Sequence, residues 1–419
     1  MCNVLVVGGG AAGMMASLMA AREGARVTLL ERNEKLGKKI YITGKGRCNV
    51  TNDCGREAFL SQVPRNGKFL YGALAALSPR DMMAFLENAG CPVKTERGNR
   101  VFPESDKASD VTKALVREMQ KAGVTVRLNA RVQSLVTEGE HAAGLLLDTG
   151  EALAADAVIL ATGGWSYPVT GSTGDGYRLA AEAGHSVLPP VPSLVPLVCR
   201  EEWPKQLQGL SLKNVRLTGA CGSKTVYSEQ GEMLFTHFGI SGPLVLEMSS
   251  HLLGFPPDVW RVSLDLKPAL SPEQLDARLK RDFEAMSRKQ FSSVLQGLLP
   301  GRLAELFPAL LGIPGDKPVN QISRPERTRL LALLKELPLP VLSTRPLEEA
   351  IVVRGGVDVN EISPATMESR RISGLYFAGE LVDVDAHTGG FNLHIAFCTG
   401  TLAGRSAAKQ SLSNKPKVF

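Results

Sequence analysis

Residues 4–13 read Val-Leu-Val-Val-Gly-Gly-Gly-Ala-Ala-Gly, an apolar run that passes directly into Gly8-x-Gly10-x-x-Gly13. A second apolar run, Arg26 to Leu30, ends on an acid, Glu31, eighteen residues after Gly13. Gly8 permits a tight turn out of the strand, Gly10 lets a pyrophosphate approach the backbone, and Gly13 lets the following helix pack closely. The helix predicted over Ala11 to Glu23 points its free N–H groups, those of Ala11 and Ala12 among them, and the positive end of its dipole at those phosphates. Glu31 accepts hydrogen bonds from the adenosine ribose. A lone glycine motif specifies little, but strand, glycines, helix, strand and terminal acid together specify a dinucleotide site.

From Glu31 to Arg47 the chain carries six cations against two acids. A solvated surface is the plain reading of such a run. Its place after the ribose-binding acid makes it a cofactor loop instead, with Arg32, Lys39, Gly46, Arg47, Cys48 and Asn49 as contacts and Thr43 to Asn49 as a flexible tip. Amphipathic helices follow over 78–89, capped by Ser78-x-x-Asp81, and over 109–122, stopped by Gly123. Val124 to Leu128, Arg131 to Val136 and Gly144 to Leu147 read as strands, and Ala157 to Ala161 as a buried strand entering Thr162-Gly163-Gly164.

Pro189, Pro190, Pro192 and Pro196 then crowd one stretch, which reads as a crossing between domains. Residues 194–266 are short β-like runs, the clearest at 260–266, and suggest a small barrel. Ser271-Pro-Glu-Gln274 opens a helix, and three more helical patterns end near Leu337. Gly374 to Glu380 is a buried strand closing on a Gly-acid pair, and Leu393 to Ala408 is an apolar helix rich in small residues. The expected architecture is α/β: a Rossmann-type dinucleotide-binding domain over 1–190 plus 346–419, a β-barrel insert over 191–268 plus 338–345, and a helical subdomain over 269–337. The polar tail after Lys409 is expected to fray.

Bulk composition is that of an ordinary globular chain of 419 residues, with 44% hydrophobic and 21% charged residues. Its 48 cations exceed 42 anions without any long like-charge block, so composition alone implies no nucleic acid. Seven scattered cysteines without a C-x-x-C fit reduced thiols in a cytoplasmic protein rather than a disulfide scaffold or zinc module. Cys48 and Cys54 have the wrong spacing for a redox Cys-x4-Cys pair and read as structural. Val4 to Ala21 has membrane-spanning length, but its fingerprint glycines make it a folded strand-turn-helix, so neither export nor a membrane is expected. No histidine spacing suggests a metal site.

Thr388-Gly-Gly-Phe-Asn392, beside Ala378-Gly379-Glu380, places a helix N-terminus where a flavin would gain negative charge near N1 and O2 on reduction. Gly8 to Gly13, Glu31, Ala161 to Gly164 and Leu375 to Glu380 resemble the FAD-binding elements of the glutathione-reductase and fumarate-reductase superfamily. Within it, residues 43–49, 236–243 and 383–392 resemble a bacterial flavoprotein family whose members are described as aminoacetone oxidases or as 3-dehydro-bile acid Δ4,6-reductases. The resemblance implies FAD, held at the ADP half by Gly8, Gly10, Gly13, Glu31 and the backbone of Val132, and at the flavin half by Thr162, Gly163, Gly164, Gly379, Glu380, Asp385, Gly390, Phe391 and Asn392. The loop Gly171 to Gly176 is expected to contact cofactor.

His237 is the candidate acid-base residue, with Asn392 also placed at the chemistry and His387 held in reserve. The expected activity is hydride transfer between flavin N5 and a small organic substrate, with the emphasis on NAD(P)H-dependent reduction of a conjugated C=C in an enone of bile-acid or steroid type. The alternatives are an amine oxidase producing peroxide, a tRNA-modifying flavoprotein and a non-enzymatic redox sensor. A small-molecule partner is expected rather than nucleic acid; NAD(P)H would bind transiently, and the sequence leaves the oligomeric state open.

Overall fold

The computed structural model describes residues 2–413. The chain divides into two compact units, one running to Pro192 and resuming at Leu347, the other spanning Ser193–Pro346.

The first unit is built on a five-stranded parallel sheet in the order Leu375–Phe377, Ala157–Leu160, Asn3–Val7, Arg26–Leu30, Thr125–Arg127. The fingerprint strand therefore holds the centre, with the last strand of the sheet recruited from the far end of the sequence. Val4, Val6, Val158, Ile159, Leu160, Tyr376 and Phe377 are all buried, which is why these strands read as continuous apolar runs and not as alternating ones. Helix Ala11–Arg22 follows the central strand, and the C-terminal helix Phe391–Ser413 lies directly against it. The polar tail at 414–419 lies outside the described residues.

Those two helices meet backbone to backbone. A Cβ placed on Gly400 would overlap the carbonyl of Ala12, and one on Gly404 the carbonyl of Ala16. The run of small residues that the sequence shows in the C-terminal helix is thus the imprint of this crossing.

Helix Pro79–Asn88 starts on the expected capping box, with Ser78 and Asp81 each bonded to the other's backbone N–H. The proline-rich stretch carries the boundary between the units, as its crowding suggests, and does so as regular structure. Val187–Ser193 is a strand paired with Val352–Val357 in a two-stranded sheet. In so narrow a sheet each strand keeps an open edge, and an open edge tolerates prolines that lack an N–H.

In the second unit, seven antiparallel strands are ordered Leu337–Leu339, Trp260–Asp265, Ser211–Cys221, Lys224–Thr236, Gly239–Ser241, Leu197–Cys199, Val341–Thr344. The strands at the two ends of this order are separated in sequence by Pro340 alone, so the sheet curls until its edges meet there. Two strands are long where short runs were expected, because register shifts at Leu212/Val215 and Gly219/Ala220 interrupt the alternation that would have revealed them. Helices Pro272–Ala285, Phe291–Leu298, Gly301–Leu311 and Arg324–Lys335 share one core with the sheet, in which Leu275, Phe291, Phe307 and Leu334 are buried with Leu217, Phe235 and Leu264.

Gly404→Ala is expected to lower the melting temperature by on the order of 5–10 °C through overpacking of the helix crossing. Gly297→Ala, in an exposed helical position where a Cβ meets nothing, is expected to leave it unchanged or slightly raised. Equal melting of both variants would remove the helix crossing as the constraint.

Candidate functional site

The glycine turn shows what each glycine does. Gly8 has φ +101°, and a Cβ on it would come within 2.5 Å of the Ala161 carbonyl oxygen. A Cβ on Gly13 would overlap the carbonyl of Gly8, so this glycine serves helix-to-strand contact. Gly10 differs. Its backbone is extended, no side chain caps the helix it begins, and a Cβ on it would meet no protein atom within 4 Å. The open space in front of Gly10 and the uncapped N–H groups behind it are what an anionic group requires.

Glu31 is 7% exposed. One oxygen accepts from the backbone N–H of Gly9 at 2.7 Å, and the other from the N–H and side-chain amide of Asn33 at 2.8 and 2.7 Å. The carboxylate is therefore locked beside the glycine turn, with lone pairs to spare for ribose hydroxyls. Arg32 reaches across to Thr173 and Asp175, and Arg131 also pairs with Asp175, so the loop Gly163 to Asp175 is tied to the segments that carry Arg32 and Arg131 at the cleft wall.

Beyond the helix N-terminus the cleft continues towards the C-terminal segment. Glu380 accepts from the N–H of Val353 at 3.0 Å and from Ser166 Oγ at 3.2 Å, and pairs with Lys39 Nζ. Asn392 holds the preceding loop: its Oδ1 accepts from Ala386 N at 2.9 Å, and its Nδ2 donates to Ala386 O at 2.6 Å and His387 O at 3.3 Å. Gly390, at φ +98°, presses against the backbone of Thr51, with Asn49 Oδ1 beside it. Thr162 Oγ1 and Asn49 Oδ1 are buried without a hydrogen-bond partner. An elongated cofactor with a central pyrophosphate fits this cleft, because the glycine turn, the uncapped helix and the locked Glu31 all line it.

The cleft is lined by Gly8, Gly10, Ala11, Ala12, Glu31, Arg32, Lys39, Val132, Thr162, Gly163, Gly379, Glu380 and Asn392 from among the residues singled out in the sequence. Gly13 supports it from behind. Gly46, Arg47, Cys48, Asn49, Gly164, Asp385, Gly390 and Phe391 are not brought to its wall. Arg47 is drawn away by Glu96 and Asp106 and lies over the Phe102 ring, its carbon Cζ 4.1 Å from the centroid. Cys48 is fully buried, which pushes its thiol up to about 12, and all described cysteines are free thiols. Asp385 is consumed by a buried pair with Arg354 at 3.2 Å, and Phe391 packs edge-on to Phe59. Gly164 sits under Val353 and Glu380, where it admits no side chain. The 43–46 tip is a 3-10 turn after a short helix, Lys38–Ile42.

Gly171, Ser172 and Asp175 line the cleft, in line with the reading of that loop. Ile351, Val352, Leu393, Ile395 and Ala396 also line it. Nothing local marks Ile351, at the bend before strand Val352–Val357, or Val352, the first residue of that strand, as cleft residues, because an aliphatic side chain carries no sign of what it will pack against.

His237 belongs to the second unit, exposed in the turn between strands Lys224–Thr236 and Gly239–Ser241. His387 is nearly buried and bonds Gln62 through its backbone N–H and Nδ1. His394, passed over in the sequence, is fully buried between Thr51 Oγ1 and the Leu77 carbonyl, and burial depresses its pKa to about 4. Among the described residues no cluster of His, Cys, Asp and Glu could hold a metal ion, and no helix is long and apolar enough to cross a membrane.

Residues 2–406 match the HI0933-like protein Rossmann domain model. The chain belongs to this family. It is 32% identical to a 3-dehydro-bile acid Δ(4,6)-reductase from Clostridium scindens, over 98% of this chain and all of that protein. It is 34% identical to a ribosomal RNA dihydrouridine synthase from Escherichia coli, over 98% of this chain and 99% of that one. The fold resembles that of a 3-ketosteroid-Δ4-(5α)-dehydrogenase from Rhodococcus jostii, with a TM-score of 0.50 at 18% identity, covering 98% of this chain and 97% of the other. This HI0933-like protein is an FAD-dependent oxidoreductase.

Gly10→Ala is expected to melt like the parent in the absence of FAD and to bind FAD at least tenfold more weakly, because the added methyl occupies only ligand space. FAD titration by fluorescence checks this; unchanged affinity would move the pyrophosphate elsewhere.

His394 gives a pH signature. Its folded pKa lies below the ordinary value of 6.5, so the unfolded chain binds more protons between the two. Stability is full above pH 6.5 and falls as the pH drops towards 4, by up to about 3 kcal/mol. Melting curves across that window should show a steeper loss in the parent than in His394→Gln, and parallel curves would exclude the imidazole as the source.

Proposed function

We propose that this enzyme saturates a C=C bond conjugated to a carbonyl, using electrons from NAD(P)H, and that its substrate is a uridine within ribosomal RNA. One observation carries the reaction type. Two relatives that match essentially end to end bear names for different substrates but the same chemistry, since 3-dehydro-Δ4,6 bile-acid reduction and dihydrouridine formation each add two electrons and two protons to a conjugated alkene.

Bound FAD, once reduced, supplies the hydride. The protein's part is binding and orientation. Gly10 and the uncapped helix hold the pyrophosphate, Glu31 the ribose, and Lys39 with Glu380 the polar chain that leads to the ring. The N-terminus of helix Phe391–Ser413 offers N–H groups and a positive dipole to the electron-rich end of that ring. Asn392 keeps the adjoining loop in place through its bonds to Ala386 and His387 and is a positioning residue in this scheme.

The nucleic-acid substrate departs from the expectation drawn from composition. It is favoured by the ribosomal RNA relative, which matches this chain end to end. The second reading, a steroid-like dienone, is favoured by the Clostridium scindens relative.

The test is anaerobic reduction of the purified holoenzyme with NADH and NADPH, followed by addition of an unmodified ribosomal RNA transcript or a conjugated steroid enone. The expected result is bleaching of the flavin by a nicotinamide and its return to the oxidised spectrum with RNA, with dihydrouridine in the digested product. Reoxidation by the steroid alone would establish the second reading. Peroxide release matched to turnover of an amine in air would overturn both.

A further inference from the structure

The turn between strands Val93–Glu96 and Arg100–Pro103 carries Arg97, Gly98 and Asn99, with Gly98 and Asn99 both at positive φ. One side-chain amide ties it to a second loop. Asn52 Nδ2 donates to the carbonyl of Gly98 at 3.0 Å and to that of Gly389 at 3.2 Å, so the hairpin tip is bridged directly to the turn before the C-terminal helix, whose first residues line the cleft. Asp53 N also donates to the Asn99 carbonyl.

The charges at this tip are unevenly spent. The acids of the hairpin base, Glu96 and Asp106, are neutralised by Arg47 and Lys94, and Asp53 pairs with Arg80. Arg97 and Arg100 are exposed and carry no ion pair among the described residues; Arg100 Nε only donates to the Arg97 carbonyl. Lys45 is exposed as well, held out at φ +58° on the 43–46 turn, and also lacks an ion pair. The Phe102 ring joins the two loops, with the Arg47 guanidinium over it, the Arg100 guanidinium 5.9 Å from its centroid and the backbone of Gly44 alongside. Three exposed cations without ion pairs among the described residues are thus carried by two loops that meet at Phe102, one of them bridged to the Gly389 turn, while Glu96, Asp106 and Asp53 are already paired.

A steroid would make little use of such a surface, whereas a polynucleotide presents a phosphate on each side of the base to be reduced. We infer that Lys45, Arg97 and Arg100 form the docking surface for the RNA phosphates that flank the target uridine. The inference rests on the reading of the substrate as ribosomal RNA. Base stacking and reduction occur elsewhere in the site; this surface supplies affinity and register.

The test uses FAD-loaded protein and unmodified transcripts of the small- and large-subunit ribosomal RNAs, with binding followed across a salt series. Arg97→Glu and Lys45→Glu are expected to weaken binding about tenfold each and to flatten the dependence of log Kd on log salt by about one. Melting temperature, the flavin spectrum and the rate of reduction by nicotinamide should match the parent, since neither side chain bonds the fold. Parent protein that binds and reduces RNA, with variants that do so equally well at every salt concentration, would overturn the docking surface and leave the substrate reading standing. Parent protein that neither binds the transcripts nor forms dihydrouridine would remove the substrate reading itself.

Discussion

The contact between Ala12 and Gly400, repeated one turn on between Ala16 and Gly404, is the constraint from which the rest of the first unit follows. It brings the N-terminal and C-terminal helices to backbone distance, and with them the two halves of one cleft. The glycine turn starts the N-terminal helix, and the first residues of the C-terminal helix form another part of the cleft wall. Their separation is therefore set by the packing of main chain on main chain, which side-chain rotamers cannot loosen. Gly379 extends the same logic: a Cβ there would come within 2.8 Å of the Ala12 methyl, so the turn bearing Glu380 is also pressed onto the first helix.

Preorganisation of charge complements this packing. Glu31 is fixed by three N–H donors, Glu380 by Val353, Ser166 and Lys39, and Asp175 by two arginines. Each carboxylate faces the cleft with its orientation already decided, so binding a cofactor need not order it. Deeper in the unit, Arg354 and Asp385 form a buried pair, and His394 is kept neutral by its surroundings. The cleft is polar at fixed points and otherwise lined by aliphatic side chains, the pattern expected for a site that must orient a large ligand.

Much of this was legible before any coordinates. The strand, glycines and acid of residues 4–31 are local signals, since glycine conformational freedom and strand hydrophobicity act within a few residues of one another. Capping boxes at Ser78 and Ser271 are equally local and appear where the pattern puts them. Less legible were the long strands Ser211–Cys221 and Lys224–Thr236, whose bulges break the period, and the strand Val187–Ser193, whose prolines marked the crossing between units but hid its strand pairing. The loop from Arg32 to Asn49 was read as a cofactor loop throughout, yet it divides. Lys39 turns into the cleft towards Glu380, while Arg47 turns out towards Glu96 and Asp106.

The amino-acid sequence by itself determined that the chain builds a dinucleotide-binding core, because that core is encoded by turn geometry and strand patterning over short range. Only the tertiary structure decided which cations face the cleft, which are paired away from it, and which stand exposed beside Gly389. Those outcomes depend on carboxylates and carbonyls contributed by segments far apart in the chain, and a side chain's electrostatic partner is set by distance in space, for which sequence separation holds no measure.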